Sequence, residues 1–153
     1  MADVNVLFVC TGNTCRSPMA EGLFRKAVEG KGYQVSSAGV AAYEGSAASP
    51  ETCDILEEKG GSLSGFQSRL VSEEILEKAS HVFCLTRGHQ RTLQQHFSQF
   101  EEKFYLVTEF VEIEGQNGCD ISDPIGCGKG AYEEVARQLE ISIRGILGFL
   151  EAK

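Results

Sequence analysis

Several features that this 153-residue sequence lacks exclude whole classes of protein. No apolar run approaches the roughly 20 residues that a membrane-spanning helix needs, so we expect no membrane span. The chain does not start with a basic segment followed by an apolar stretch, so we expect a cytoplasmic rather than a secreted protein. Basic residues are scarce: 14 Lys and Arg against 22 Asp and Glu give a net charge of −8. That balance argues against nucleic acid or an anionic membrane as a partner.

The six cysteines form neither a zinc motif nor an evident disulfide scaffold. No C-x2-C pair occurs, and Cys119 and Cys127 have no ligand partners at zinc spacing, so we expect no metal and no cofactor. Without an export signal, the thiols are expected to be mostly reduced. Cys53 and Cys84 lie inside apolar patterns, which predicts that both are buried like small hydrophobic residues.

The order of apolar patterns predicts one α/β domain over residues 1–153, with no repeat, linker or second domain. Short apolar runs predict strands at 4–9, 33–36, 81–85 and 104–107. Helical spacing predicts helices that start at Pro18 and at 49, 72, 88 and about 132, and residues 108–130 are expected to form a long loop. Strands that alternate with helices favour a parallel sheet covered on both faces, a three-layer αβα arrangement.

The octapeptide Cys10-Thr11-Gly12-Asn13-Thr14-Cys15-Arg16-Ser17 separates the first predicted strand from the first helix. A loop at the amino end of a helix collects unpaired backbone N–H groups at the positive end of the helix dipole, which predicts an anion site. Gly12 and Asn13 are residue types that tolerate positive φ, so successive N–H groups are able to turn inward.

Cys10 and Arg16 give this loop two unlike functional groups. A guanidinium binds the oxygens of a phosphate in a bidentate manner, and the positive field of the loop favours the nucleophilic thiolate. A thiolate facing a bound phosphoryl group is suited to covalent phosphoryl transfer, with Ser17 placed to hydrogen-bond the sulfur. The alternative is a buried cysteine beside a phosphate-binding turn that performs no chemistry.

The segment VCTGNTCRSPMAE resembles the phosphate-binding loop of the low-molecular-weight protein tyrosine phosphatases, a family that includes bacterial protein arginine phosphatases. Asp123-Pro124 and Ser37-Ala38 resemble two further family signatures, and the likeness extends over essentially the whole chain. It implies a four-stranded parallel sheet of order 2-1-3-4 with the phosphate loop after strand 1.

The resemblance also implies roles for single residues. Cys10 is the expected nucleophile, Asp123 the expected general acid, and residues 11–17 the expected phosphate-binding set with Arg16 at its centre. Ser37 is expected to support the loop by hydrogen bonding, and Tyr43 to be an aromatic at the rim. Cys15 is a candidate for a reversible disulfide with Cys10, or simply a packed thiol.

The implied substrate is a phosphorylated protein, handled by a monomer that releases inorganic phosphate. Thr14 occupies a position that is Thr in the arginine phosphatases and usually Ile or Leu in the tyrosine phosphatases. No aromatic follows Pro124 before Tyr132, whereas the tyrosine phosphatases place aromatics there to sandwich the substrate ring. These features favour phosphoarginine, although Tyr43 favours phosphotyrosine, and Ile125 departs from the aromatic expected in arginine phosphatases.

Phosphotyrosine therefore remains the alternative substrate. Two further alternatives are an arsenate reductase and a non-catalytic oxyanion-binding module. The reductase requires a relay of cysteines after the third strand, where Cys84 has no partner between residues 86 and 100.

Overall fold

The computed structural model describes residues 3–63 and 65–152, and its centre is a sheet of four parallel strands. In space the strands lie in the order β2-β1-β3-β4, and each neighbouring pair is parallel. Parallel neighbours require crossover connections, which helices supply here. The predicted α/β class and the 2-1-3-4 order are thus confirmed. The strands are β1 (Asn5–Cys10), β2 (Gln34–Gly39), β3 (His81–Cys84) and β4 (Phe104–Leu106).

Helices cover both faces of this sheet. Those in the described part of the chain are α1 (Arg16–Ala27), α2 (Pro50–Glu58), α3 (Glu73–Lys78), α4 (Arg87–His96), α5 (Lys129–Glu151) and a 3-10 helix (Ser98–Lys103). Helices α1, α2 and α5 pack together on one face. Alternate residues of β1 point to opposite faces, so Val6 and Phe8 join the core under α1 and α5, whereas Leu7 and Val9 join the core under α3 and α4. None of the described helices is long and apolar enough to cross a membrane.

Two strands extend further than the sequence predicts. Cys10, expected just after the strand, is the last residue of β1 and pairs with Gly39 of β2. The strand predicted at 33–36 does not include Ser37, Ala38 and Gly39, a sequence typical of a turn, yet they form the second half of β2. The prediction was wrong because pairing with a buried neighbouring strand overrides the turn preference of Ser and Gly.

Residues 108–130 are less irregular than predicted. They contain a two-stranded antiparallel hairpin, β5 (Glu112–Ile113) and β6 (Gln116–Asn117). Glu114 and Gly115 make its two-residue turn with φ of 52° and 79°. Two positive φ values suit the twist of a tight hairpin, but Glu is an unusual residue for the first of them, so the sequence carries no clear hairpin signal.

Cys53 and Cys84 were both expected to be buried, and the structure confirms this for Cys84 alone. Cys84 is fully buried in β3, as expected. Cys53 is exposed, because it lies at the edge of the face of α2 whose residues Ile55 and Leu56 enter the core. An apolar residue in a short helical pattern does not by itself indicate which face is covered.

Candidate active site

The loop between β1 and α1 forms a concave turn of backbone above the end of the sheet. Asn13 has a φ of 57°, the left-handed conformation that the sequence predicted for this residue type. Helix α1 begins without a side-chain cap and has no acidic residue in its first turn. The N–H groups and the positive dipole end at the start of α1 therefore remain available to an anion.

The sulfur of Cys10 lies at the bottom of this turn, where the residue is buried. Its Sγ is 2.9 Å from Ser17 Oγ. Asn13 Nδ2 donates to Ser17 Oγ over 2.8 Å, so the serine oxygen is an acceptor there and its own hydrogen is free for the sulfur. A hydroxyl that donates to the sulfur stabilises negative charge on it.

Asn13 connects the loop to the neighbouring strand. Besides Ser17, its Nδ2 donates to Ser37 Oγ over 2.9 Å, and its Oδ1 accepts from the backbone N–H of Arg69 over 2.9 Å. Ser37 in turn donates to Glu21 Oε1 over 2.6 Å. The four side chains in this network, Asn13, Ser17, Glu21 and Ser37, are all buried, and these bonds fix the curvature of the loop. The structure thus places Ser37 in contact with the loop.

Arg16 reaches from the start of α1 toward the carboxyl third of the chain. Its NH1 donates to the carbonyl of Ile121 over 2.9 Å, and its NH2 lies 3.8 Å from Asp123 Oδ2. The guanidinium is almost completely buried, whereas half of the Asp123 side chain is exposed. Arg16 and Asp123, which are far apart in the sequence, therefore meet at one point.

The conformation of Asp123 differs from the sequence prediction. Pro124 restricts Asp123 to an extended backbone, which predicts a side chain directed away from its own backbone. Instead Asp123 Oδ1 accepts a hydrogen bond from the N–H of Ile125 over 3.0 Å, while Oδ2 faces Arg16. Proline restricts the backbone of the preceding residue but not its χ1 angle, so a local Asx-type turn remains open to it.

A pocket of about 140 Å³ brings these groups together. Its lining includes most of the predicted phosphate-binding set. The lining residues are Cys10, Thr11, Gly12, Thr14, Cys15, Arg16, Asp123 and Ile125. Tyr43, expected at the rim, is 85% exposed and does not line this pocket.

A larger cleft of about 470 Å³ lies behind the loop, next to Glu21, Arg25 and Arg69. It contains no nucleophilic thiol, so the smaller pocket is the candidate active site. Within residues 3–63 and 65–152, no cluster of three or more His, Cys, Asp or Glu side chains is placed to hold a metal ion.

Two contacts of the loop involve residues that sequence reasoning missed. His89 Nε2 lies 2.8 Å from Thr11 Oγ1, and the Tyr132 hydroxyl lies 3.3 Å from Cys15 Sγ. Burial raises the pKa of Tyr132 to about 12, and its hydrogen bond with Cys15 acts in the same direction. The sequence indicates Tyr132 only as a residue near the start of the last predicted helix. All six cysteines are free thiols, and a disulfide between Cys10 and Cys15 stays a prediction.

Known proteins share this sequence and this fold. A family model described as low molecular weight phosphotyrosine protein phosphatase matches residues 5–153. The protein-arginine-phosphatase of Bacillus subtilis (strain 168) is 37% identical over 143 residues, which cover 92% of this chain and 93% of that protein. The low molecular weight protein-tyrosine-phosphatase YfkJ of the same organism is 30% identical over 154 residues, covering 97% and 96%.

A solved structure adds a chemical detail about a relative. It is a YwlE arginine phosphatase in which serine replaces a cysteine and the active-site serine is phosphorylated. It matches this fold with a TM-score of 0.87 at 35% identity, covering 97% of this chain and 96% of that one. In that mutant of the relative, the serine at the active site therefore carries a covalently bound phosphate.

Proposed function

This chain belongs to the low molecular weight phosphotyrosine protein phosphatase family, and on that premise we propose that it removes phosphate from phosphoarginine in proteins. The family is one of cysteine-dependent phosphatases that act on phosphorylated proteins. The observation that carries the choice of phosphoarginine is the composition of the pocket: Thr14 contributes a hydroxyl to its lining, and none of the described residues that line it is aromatic.

In the first step, the thiolate of Cys10 attacks phosphorus in line with the leaving guanidine. A sulfur–phosphorus bond forms, the phosphorus–nitrogen bond breaks, and Asp123 gives a proton to the departing nitrogen. Arg16 and the amides of the loop hold the three equatorial oxygens and balance their charge. The carbonyl of Ile121 holds one edge of the guanidinium, which leaves the NH2 edge directed at the pocket.

In the second step, a water molecule hydrolyses the phosphocysteine. Asp123, now a carboxylate, takes a proton from that water while its oxygen attacks phosphorus. The sulfur–phosphorus bond breaks, and the thiolate of Cys10 leaves with the hydroxyl of Ser17 stabilising its charge. Inorganic phosphate is the product.

The side chain at position 14 supports the proposed substrate. Thr14 Oγ1 is an acceptor able to receive an N–H of a guanidinium, which carries donors only. A phenol ring would gain more from an aliphatic or aromatic wall, because burial of its apolar faces supplies most of its binding energy. Among the described residues that line the pocket, Ile125 is the one with an aliphatic side chain, and it is 60% exposed.

Phosphotyrosine is the second candidate substrate, and two observations favour it. The 30% identical relative is named as a tyrosine phosphatase. Tyr43 is a large exposed aromatic on the segment after β2, which leaves its ring free to contact a substrate peptide. An arsenate-reductase relay is disfavoured, because full burial raises the pKa of the Cys84 thiol, the opposite of what a reactive cysteine requires.

The proposal is tested by measuring the turnover of two peptides that differ only in whether they carry phosphoarginine or phosphotyrosine. We expect the wild type to prefer phosphoarginine, and Thr14→Ile to shift the preference toward phosphotyrosine. Thr14→Val is the matched control: it removes the hydroxyl without adding bulk, and so separates the polar contribution from the steric one. A wild type that prefers phosphotyrosine overturns the proposal. Cys10→Ser should abolish turnover of both peptides while still binding phosphate.

We further propose that residues 1–153 act as one domain, as a monomer, on proteins of the cytoplasm. Size-exclusion chromatography with light scattering tests the monomer directly. A mass near twice that of the single chain contradicts it.

A further inference from the structure

His89 links the phosphate loop to the first turn of α4, although no sequence motif singled it out. Its imidazole is almost completely buried. Nε2 lies 2.8 Å from Thr11 Oγ1, and Nδ1 lies 3.0 Å from Thr86 Oγ1. Thr86 also caps α4, because its Oγ1 accepts from the backbone N–H of His89 over 3.1 Å.

The hydrogen of the Thr86 hydroxyl favours one of the two neutral tautomers of His89. Thr86 Oγ1 accepts from a backbone N–H, and within the described residues His89 Nδ1 is the acceptor open to its own hydrogen. A ring that accepts at Nδ1 carries its hydrogen on Nε2 and donates it to Thr11 Oγ1. The Thr11 oxygen is then an acceptor on the His89 side, and its hydrogen points elsewhere.

The surroundings of His89 keep the ring neutral, as this arrangement requires. Burial and the nearby charge of Arg16 lower the pKa of His89 to about 4, against the opposing influence of Asp120 and Asp123. An imidazolium would carry hydrogens on both nitrogens and could accept from neither hydroxyl. At neutral pH the ring is therefore neutral, and the tautomer with its hydrogen on Nε2 is the one in which Thr86 donates to Nδ1 and Thr11 accepts.

We propose that Thr86 and His89 form a positioning relay that holds the Thr11 hydroxyl as a donor to an oxygen of the bound substrate. Thr11 is exposed and lines the pocket beside Cys10 and Arg16, so its free hydrogen faces the space that a substrate occupies. A guanidinium has only donors, so the acceptor is a phosphoryl oxygen or a peptide carbonyl next to the phosphorylated residue. This inference rests on the proposed function in taking this pocket as the substrate site, and it holds for either phosphorylated side chain.

The tautomer is measured first, by the ¹⁵N chemical shifts of the imidazole in the ligand-free full chain at pH 7. We expect a protonated Nε2 and an unprotonated Nδ1 for His89. The opposite tautomer, or an imidazolium, overturns the relay. Because no substrate is present, this result does not depend on which phosphorylated residue the enzyme uses.

The donor is then tested by the Kd of inorganic phosphate and the KM of a phosphorylated peptide for Thr11→Val, with Thr92→Val as the control. Thr92 lies on the same helix as His89, hydrogen-bonds the carbonyl of Gly88, and does not line the pocket. We expect Thr11→Val to weaken binding about three- to tenfold, the value of one hydrogen bond. If both the Kd of phosphate and the KM of the peptide rise, the acceptor is a phosphoryl oxygen. If only the KM of the peptide rises, the acceptor is a peptide carbonyl.

Coupling between the two residues distinguishes a relay from independent contacts. In a Thr11→Val background, His89→Gln should produce no further weakening, because the hydroxyl that it orients is already absent. If His89→Gln fails to fold, the tautomer measurement and Thr11→Val decide the question alone. Wild-type Kd and KM in Thr11→Val overturn the proposal.

Discussion

Replacement of Gly39 by alanine tests how closely the sheet supports the phosphate loop. A Cβ at this position would lie 2.4 Å from the carbonyl oxygen of Thr11 and 3.0 Å from the backbone nitrogen of Asn13. Both atoms belong to the backbone of the loop, so neither can rotate away. The φ of Gly39 lies outside the left-handed region, so the substitution tests space alone.

The size of the effect follows from these distances. To restore even 3.0 Å from the new Cβ, the Thr11 carbonyl must move by at least about 0.6 Å, and the loop amides move with it. Misplacement of reacting groups by about 1 Å costs up to about 10²-fold in rate, so we expect kcat/KM to fall about 10- to 100-fold. Overpacking of this kind also lowers the free energy of unfolding by about 1–3 kcal/mol.

The assay is kcat/KM on a phosphorylated peptide, together with urea unfolding of the same preparation. Gly148→Ala is the matched control, because a Cβ there meets no atom within 4 Å and the position lies within α5. That variant should keep wild-type activity and gain about 0.5–1 kcal/mol of stability from helix propensity. Gly39→Ala with wild-type kcat/KM would refute the view that β2 sets the position of the loop.

Three further predictions concern single residues of the site. Asn13→Gly should lower the free energy of unfolding by about 3 kcal/mol, since three hydrogen bonds are lost. Asn13→Ala should lower it by about 1 kcal/mol more, because alanine is strained at a φ of 57°. Equal free energies of unfolding for the two variants in chemical denaturation contradict this. Asp123→Asn should lower kcat by about 10²- to 10⁴-fold through loss of the general acid, and a change below threefold excludes that role. The free energy of unfolding should rise between pH 4 and pH 6.5, because the unfolded chain binds a proton on His89 there and the folded chain does not. After allowance for solvent screening the rise is on the order of 2 kcal/mol, and a slope that persists in His89→Gln assigns it to another group.

Much of the fold could be predicted because local signals agree with the tertiary structure. The capping side chain of Ser49 accepts from the N–H of Thr52, and Ser72 accepts from Ile75, as expected for residues that start helices. The stripe of apolar residues on the last helix is buried as its spacing indicated. Where local and tertiary preferences conflict, as at Ser37 and Gly39, the pairing with β1 decides the structure.

The site was predictable only in part, for a similar reason. Cys10 and Arg16 lie six positions apart, and a fixed spacing of that kind is visible in the sequence. The contact between Cys15 and Tyr132 joins residues 117 positions apart, and the contact between Thr11 and His89 joins residues 78 apart. No local pattern encodes such pairs, because the sheet and its crossovers bring them together.

The hydrogen bond from Arg16 to the carbonyl of Ile121 couples phosphate binding to the anchoring of the segment that carries Asp123. Ile121 also donates its N–H to the carbonyl of Leu85, the residue that follows β3, so it anchors the segment that carries Asp123. The guanidinium expected to hold phosphate is thus the one that tethers this segment. Binding of phosphate and anchoring of this segment are therefore thermodynamically linked. The free energy by which bound phosphate changes the anchoring equals the free energy by which anchoring changes the affinity for phosphate. Amide hydrogen exchange across residues 118–127, followed as phosphate is titrated, measures that coupling free energy through the stability of the segment. The change in phosphate affinity when the anchoring of the segment is weakened measures the same coupling free energy through the ligand.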